Sequence, residues 1–289
     1  MQDIDFYAPQ TLNELLTTLA ETGGRLLAGG TDIIPQMRRG LPGSPVLVDA
    51  TRIAELRFIR ENDSVVEIGA LSTHSDLTGS SLLQQKAPML VDTTWHISSP
   101  QLRARGTLGG NIANASPAGD TIPALYAYKA VLNLVSLKGR RQLPIEEFYL
   151  GPGKTCLEAG EIIYSITFKP PQEPYGAAFR NMGRRWGLAI SVVNTAALLI
   201  AADSGEIKEA RVALGSVAPT VVRCPAVESA LAGRKGSSEV AQNAASQVCN
   251  DIKPINDVRA TAEYRLQAAV VLVQRALEAS LDQIVRRTA

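Results

Sequence analysis

Residue types that bind metals are scarce in this chain. Its 289 residues include two histidines and three cysteines. Cys156, Cys224 and Cys249 lie far apart and form no CxxC pair, which predicts a reducing compartment without a disulfide framework. We interpret His74 and His96 as structural residues, and we expect no zinc or iron–sulfur site built from this chain.

The sequence also lacks an excess of charge and a long apolar segment. Its 29 basic and 28 acidic residues argue against a broad nucleic-acid surface but permit a local anion site. The N-terminal "MQDIDFYAPQ" has neither the basic nor the apolar region of a signal peptide, and the apolar run at 196–202 is too short to span a bilayer. We therefore expect a soluble, cytoplasmic protein that binds no nucleic acid and has no membrane span.

The pattern of apolar residues predicts helices interleaved with strands. The clearest helix follows Thr11, which forms a capping-box pattern with Glu14; leucines line one of its faces and Gly23 ends it. Further predicted elements are a strand at 25–28, a helix at 33–40, a strand at 45–50, a hairpin turning at Asn62–Asp63, helical structure at 80–97 around Pro88, a helix at 121–128, a hairpin turning at Lys138–Gly139 and a strand at 162–168. This order favours an α+β fold with mixed sheets.

A proline-rich segment at 169–176 marks the predicted domain boundary, because proline stiffens a linker and cannot donate to a strand ladder. Beyond it we expect a hairpin turning at Ser204–Gly205, followed by helices. The last helix carries an apolar stripe that predicts core packing or a subunit contact, at Leu266, Val270, Val273, Leu277 and Leu281.

Two glycine-containing segments share one pattern. In "AGGTD" (28–32) a predicted strand leads into two glycines, a hydroxyl residue and a predicted helix start, and "TLGGN" (107–111) repeats this design. Glycine lets the backbone approach a ligand closely, and successive amide N–H groups bind phosphate. Two such loops could each donate N–H groups to one pyrophosphate.

Neither loop is a known nucleotide fingerprint by itself. The P-loop pattern GxxxxGK[ST] and the Rossmann pattern GxGxxG are both missing. A lone Gly-Gly pair is usually a simple turn. The residues alone therefore leave a turn and a phosphate site as open alternatives.

The wider sequence resembles a known family. "LLAGGTDIIPQMRRG" and "RARGTLGGNIANASPAGDTIPAL", with the SPxxD ending at residues 116–120, resemble the flavoprotein subunits of the molybdenum hydroxylases, the xanthine dehydrogenase and carbon monoxide dehydrogenase family. The segments "EIIYSITFKPP", "FRNMGRR" and "AEYRLQAAVVLVQRAL" agree, so that the resemblance covers essentially the whole chain.

The resemblance implies a fold and the boundaries of its domains. Residues 1–170 should form a vanillyl-alcohol-oxidase-like (PCMH-type) FAD-binding domain of two α+β subdomains, at about 1–55 and 56–170. Residues 176–289 should form a C-terminal antiparallel sheet with helices. FAD should lie extended between the subdomains.

The resemblance also implies the residues that contact FAD. The first loop should contribute Leu27, Ala28, Gly29, Gly30, Thr31, Asp32 and Ile33. The second segment should contribute Thr107, Gly109, Gly110, Asn111, Ser116 and Asp120. Asp120 is expected to accept a hydrogen bond from a cofactor hydroxyl, and Ile97 and Ile163 to lie near the rings. Arg180 occupies a position that is often lysine in the family, so it keeps a cation near the flavin but changes its shape.

The function implied is that of an electron-transfer subunit with no catalytic residue of its own. Electrons would come from a molybdenum–pterin site on a large subunit through two [2Fe–2S] clusters on a small subunit, pass through this FAD, and reach NAD, oxygen or a quinone-type acceptor. The assembly expected is a dimer of heterotrimers. Two alternatives stay open: a flavin-free structural subunit of the same complex, and a stand-alone FAD oxidoreductase of the same fold.

Overall fold

A small parallel sheet forms the N-terminal region. The computed structural model describes residues 4–40, 45–185, 189–202 and 204–288. The first elements are β1 (Asp5–Tyr7), α1 (Leu12–Thr22), β2 (Arg25–Leu27), α2 (Ile33–Arg38) and β3 (Val46–Asp49). The strands pair in the order β1–β3–β2, all parallel, and α1 buries its leucine face against them.

Helix α1 begins and ends where the sequence predicts, but its capping box differs from the predicted one. The Thr11 hydroxyl accepts a hydrogen bond from the Glu14 N–H at 3.2 Å, as an N-cap should. The Glu14 carboxylate, however, accepts from the N–H of Gln10 at 2.8 Å and not from Thr11. Gly23 ends the helix with φ 60°, in the left-handed region that favours glycine.

The middle region combines an antiparallel sheet with a group of short helices. Its elements are β4 (Ile59–Asn62), β5 (Val65–Gly69), α3 (His74–Gly79), α4 (Ser81–Lys86), α5 (Pro88–His96), α6 (Pro100–Arg103), α7 (Leu108–Ala113), α8 (Thr121–Ala127), β6 (Val131–Ser136), β7 (Gly139–Pro144), β8 (Tyr149–Gly151), β9 (Lys154–Thr155) and β10 (Ile162–Phe168). The main sheet has the order β4–β5–β10–β6–β7, and β8 pairs with β9.

Three details of this region differ from the sequence prediction. The β4–β5 turn lies at Asp63–Ser64, one residue later than expected, and both residues have positive φ. Since Gly139 already pairs in β7, the next turn centres on residues 137–138. The predicted helical stretch at 80–97 is divided at Ala87, because Pro88 begins α5 and cannot continue α4.

The C-terminal region is a second antiparallel sheet covered by helices. It contains β11 (Tyr175–Gly183), β12 (Ser191–Ala201), β13 (Ile207–Gly215), β14 (Val222–Arg223), α9 (Pro225–Leu231), α10 (Ser238–Ser246) and α11 (Ala262–Thr288). The strands follow chain order, and the predicted hairpin links β12 to β13 through a turn that includes residue 203, outside the described residues.

None of the described helices is long and apolar enough to cross a membrane. The domain limits stated above remain predictions.

Strand β12 is buried at every position because both of its faces are covered. Ala196 and Leu198 join the core formed with the middle region, whereas Ala197 and Leu199 join the core under α9, α10 and α11. The stripe of α11 belongs to this second core, which confirms it as core packing. Helix α11 also approaches β11 so closely that a Cβ atom on Gly176 would overlap the carbonyl oxygen of Ser280.

Candidate cofactor site

The first glycine loop, residues 28–32, connects β2 to α2. Gly30 has φ +74°, a conformation that favours glycine. Gly29 is required for a different reason: a Cβ atom there would overlap the carbonyl oxygen of Arg105. The loop therefore lies directly against the segment that leads into α7.

This loop presents unpaired backbone amides. In the described ranges, no acceptor is found for the N–H groups of Gly29, Gly30, Thr31 and Asp32. An amide N–H left without a partner costs free energy once water is removed, so a run of such donors beside a cavity suits an anionic ligand.

The second segment differs from the design expected of it. A helix, α6, precedes it instead of a strand, and its glycines lie in the first turn of α7. The N–H of Gly109 donates to the Ala70 carbonyl at 2.9 Å, and the N–H of Gly110 donates to the Thr107 hydroxyl at 3.1 Å. A Cβ atom on Gly109 would stand 2.7 Å from that of Ala70, so this glycine serves close packing. The prediction that both segments offer free amides to a ligand is thus wrong for Gly109 and Gly110. The first loop has N–H groups without a partner among the described residues, whereas these two N–H groups donate to other atoms of the protein.

The two segments border one cleft with two adjoining lobes. The loop lobe, of about 430 Å³, lies between the first loop, the start of α7 and β10. The junction lobe, of about 570 Å³, lies between residues 116–120 and the C-terminal region. Both lobes are lined by Asp32, Ile97, Ser98, Asn111 and Asn114.

Most of the residues predicted for the site meet at this cleft. The loop lobe is lined by Ala28, Gly29, Gly30, Thr31, Asp32, Ile33, Ile97, Thr107, Gly109, Gly110, Asn111 and Ile163. Ser116 and Asp120 line the junction lobe. Their individual contacts with a cofactor stay predictions.

Leu27 and Arg180 are not brought to the cleft. Leu27 is the last residue of β2 and lies just outside the lining. Arg180 lines a separate surface pocket together with Asp92, and its guanidinium donates to the carbonyl of Phe179 at 2.7 Å. The sequence does not show toward which pocket the Arg180 side chain extends.

Other lining residues had no signal in the sequence. The cleft also includes His74, Ser98 and Asn114, and the junction lobe adds Lys253 and Arg259 from the segment between α10 and α11. After a short 3-10 helix at Gln247–Asn250, that segment, which is described in full, forms no helix or strand up to α11 and has no recognisable motif, so only the tertiary fold brings it to the cleft.

Burial changes the pKa of several groups around the cleft. The pKa of His74 falls to about 4, because burial disfavours the imidazolium and Arg103 repels it. Partial burial raises the pKa of the Asp32 carboxyl. Burial also raises the pKa of Asp120, although hydrogen bonds from Asn194 and Ser191 act in the opposite direction. The cleft thus holds a neutral histidine and two carboxyl groups in partly dehydrated surroundings.

Comparison with known proteins shows the family to which the chain belongs. Residues 2–170 match the family described as the FAD binding domain in molybdopterin dehydrogenase, and residues 177–280 match the CO dehydrogenase flavoprotein C-terminal domain. The chain belongs to this flavoprotein family. The expected resemblance is therefore confirmed, and with it FAD as the cofactor of this oxidoreductase subunit.

Individual relatives agree over nearly their full length. The carbon monoxide dehydrogenase medium chain of Hydrogenophaga pseudoflava is 33% identical, over 96% of each chain. The xanthine dehydrogenase FAD-binding subunit of Escherichia coli O157:H7 is 32% identical, over 94% of each.

Solved structures confirm the predicted fold class. A structure of carbon monoxide dehydrogenase from Hydrogenophaga pseudoflava superposes with a TM-score of 0.93 at 34% identity, covering 97% of this chain and 98% of that one. Quinoline 2-oxidoreductase from Pseudomonas putida 86 gives a TM-score of 0.91 at 26% identity, covering 96% and 97%.

The cleft of the flavoprotein fits the chemical parts of FAD. The unpaired amides of the first loop suit a pyrophosphate, and the carboxylate of Asp120 suits a hydroxyl group. Ile97 contributes apolar surface where the lobes adjoin. Each lobe is also within the usual size range of a small-molecule site.

Proposed function

We propose that this flavoprotein is the electron-transfer subunit of a molybdenum hydroxylase complex. Its partners would be a large subunit with a molybdenum–pterin site and a small subunit with two [2Fe–2S] clusters, arranged as a dimer of heterotrimers. The main support is the cleft with its row of free amides in a chain of this family.

The chain's own residues would bind and orient FAD. Amides 29–32 would hold the pyrophosphate in the loop lobe, with Thr107 and Asn111 on the opposite wall. Asp120 would accept a hydrogen bond from a cofactor hydroxyl in the junction lobe. When bound, FAD would supply the redox chemistry that links the iron–sulfur clusters of the small subunit to NAD, oxygen or a quinone-type acceptor.

The test is to purify the chain with the proteins that co-purify with it. We expect flavin absorbance in the visible spectrum, release of FAD by acid, and two further subunits that carry molybdenum and iron. Reduction by substrate should bleach the flavin only when both partners are present.

Other outcomes would support the alternatives. A complex with both partners but without flavin would identify a structural subunit. A lone chain that holds FAD and turns over a substrate would identify a stand-alone oxidoreductase.

A further inference from the structure

The carboxylate of Asp120 is held by side chains from the other side of the domain junction. Its Oδ1 accepts a hydrogen bond from the Ser191 hydroxyl at 2.7 Å and another from the Asn194 side-chain amide at 2.7 Å. Both donors belong to β12 in the C-terminal sheet, whereas Asp120 lies immediately before α8. The three side chains are almost completely buried, with 7% of Asp120, 2% of Ser191 and 0% of Asn194 exposed.

The surrounding backbone fixes this arrangement. The N–H of Ser216 donates to the carbonyl of Pro117 at 2.8 Å and so joins the Asp120 segment to the end of β13. Gly215 leaves no room for a side chain, since a Cβ atom there would overlap the Asn194 side-chain oxygen. The Ser216 hydroxyl in turn donates to the Ser191 carbonyl at 2.9 Å. Asn194 and Ser191 therefore have little freedom to turn away from Asp120.

The donors use only one oxygen of the carboxylate. Within the described part of the chain, Oδ2 accepts no hydrogen bond, and Asp120 lines the junction lobe. A carboxylate is an acceptor only, and hydrogen bonds to a buried charge offset part of its desolvation. The remaining oxygen is thus an oriented acceptor for a hydroxyl donor.

We propose that Ser191 and Asn194 are positioning residues, which hold Asp120 ionised and directed at the cleft so that it accepts a hydrogen bond from a cofactor hydroxyl. This inference rests on the proposed function. It makes the C-terminal sheet part of the FAD site, so that two strand residues govern FAD affinity through the carboxylate that they hold.

The test is a double-mutant cycle on the full-length chain. FAD is first removed from the protein. The Kd for FAD is then measured by adding FAD back and following the quenching of its fluorescence. We expect Asn194→Ala and Ser191→Ala each to raise the Kd by about tenfold, the usual effect of losing a hydrogen bond to a charged group. In an Asp120→Ala background, which lacks the acceptor oxygens, the same substitutions should change the Kd by less than about twofold, because they act through the carboxylate.

Two further variants separate positioning from general packing. Thr195→Val alters the neighbouring buried residue, whose hydroxyl has no hydrogen-bond partner among the described residues, and should leave the Kd unchanged. Ser191→Thr keeps the hydroxyl and should restore most of the affinity lost in Ser191→Ala. If the Asn194→Ala variant does not fold, the double-mutant cycle that combines Ser191→Ala with the Asp120 substitution tests the proposal alone.

The possible failures are distinct. Equal losses of affinity in the wild-type and Asp120→Ala backgrounds would overturn the positioning role, as would a Ser191→Thr variant as weak as Ser191→Ala. Wild-type protein that takes up no FAD would instead overturn the proposed function.

Discussion

Gly29 and Arg105 touch backbone to backbone, 76 positions apart in the sequence. The space for a Cβ atom at Gly29 is taken by the Arg105 carbonyl oxygen. This contact sets the separation between the first loop and the start of α7, and hence the width of the loop lobe.

We predict that Gly29→Ala widens this lobe and releases FAD. The backbone must move to admit the methyl group, which should lower the free energy of unfolding by about 1–3 kcal/mol. Flavin absorbance per protein and urea unfolding measure the two effects. Gly79→Ala, at a glycine with open space around it, is the matched control and should keep its FAD. A flavin-replete Gly29→Ala protein would contradict the assignment of this loop.

Gly110→Val should also reduce FAD content, by a different route. A Cβ atom at Gly110 would stand 2.8 Å from the Thr107 hydroxyl, so the N-cap of α7 must shift, and the branched side chain would stand at the lobe wall. Loss of that cap should cost about 1 kcal/mol, leaving the C-terminal region folded. FAD release with an unchanged circular dichroism spectrum is the expected outcome, and normal FAD content would argue against contact between α7 and the cofactor.

Acid should destabilise the chain through His74. The unfolded chain takes up a proton at this imidazole below a pKa of 6.5, but the folded chain only near 4. The free energy of unfolding therefore falls as pH drops through this window, by about 3 kcal/mol from this group. Urea unfolding near pH 7 and near pH 4 should show a smaller decrease in His74→Gln than in wild type. Equal pH dependence of stability in His74→Gln and in wild type would contradict the prediction.

The core beneath α11 should be sensitive to loss of volume. Leu277 is fully buried, so Leu277→Ala should lower the free energy of unfolding by about 2–5 kcal/mol. Val271→Ala lies on the same helix but at a side chain that is 45% exposed, and should change stability by less than about 0.5 kcal/mol. Similar midpoints of urea unfolding for the two variants would show that the stripe of α11 is not core.

Local patterns were enough to predict many of the elements and the first loop. The leucines of α1, the alternation in β10 and the glycine at 30 each reflect a preference set by a few neighbouring residues. The turn at Asp63–Ser64 was missed by one residue because several polar residues there adopt positive φ equally well.

The rest of the site depends on contacts between distant residues. The amides of Gly109 and Gly110 looked free in the sequence, but Ala70 and Thr107 occupy them in the fold. The donors to Asp120 lie more than 70 positions later in the chain, and no local pattern marks Ser191 or Asn194 as their source.

The close approach of Gly176 to Ser280 has a consequence for the timing of synthesis. Ala177 and Gln283 exchange two hydrogen bonds across 106 positions, so β11 cannot be covered until α11 has been made. At about 5–20 residues per second, translation leaves β11 uncovered for roughly 5–20 s. Throughout that interval the nascent chain exposes the face of β11 that α11 covers in the folded protein.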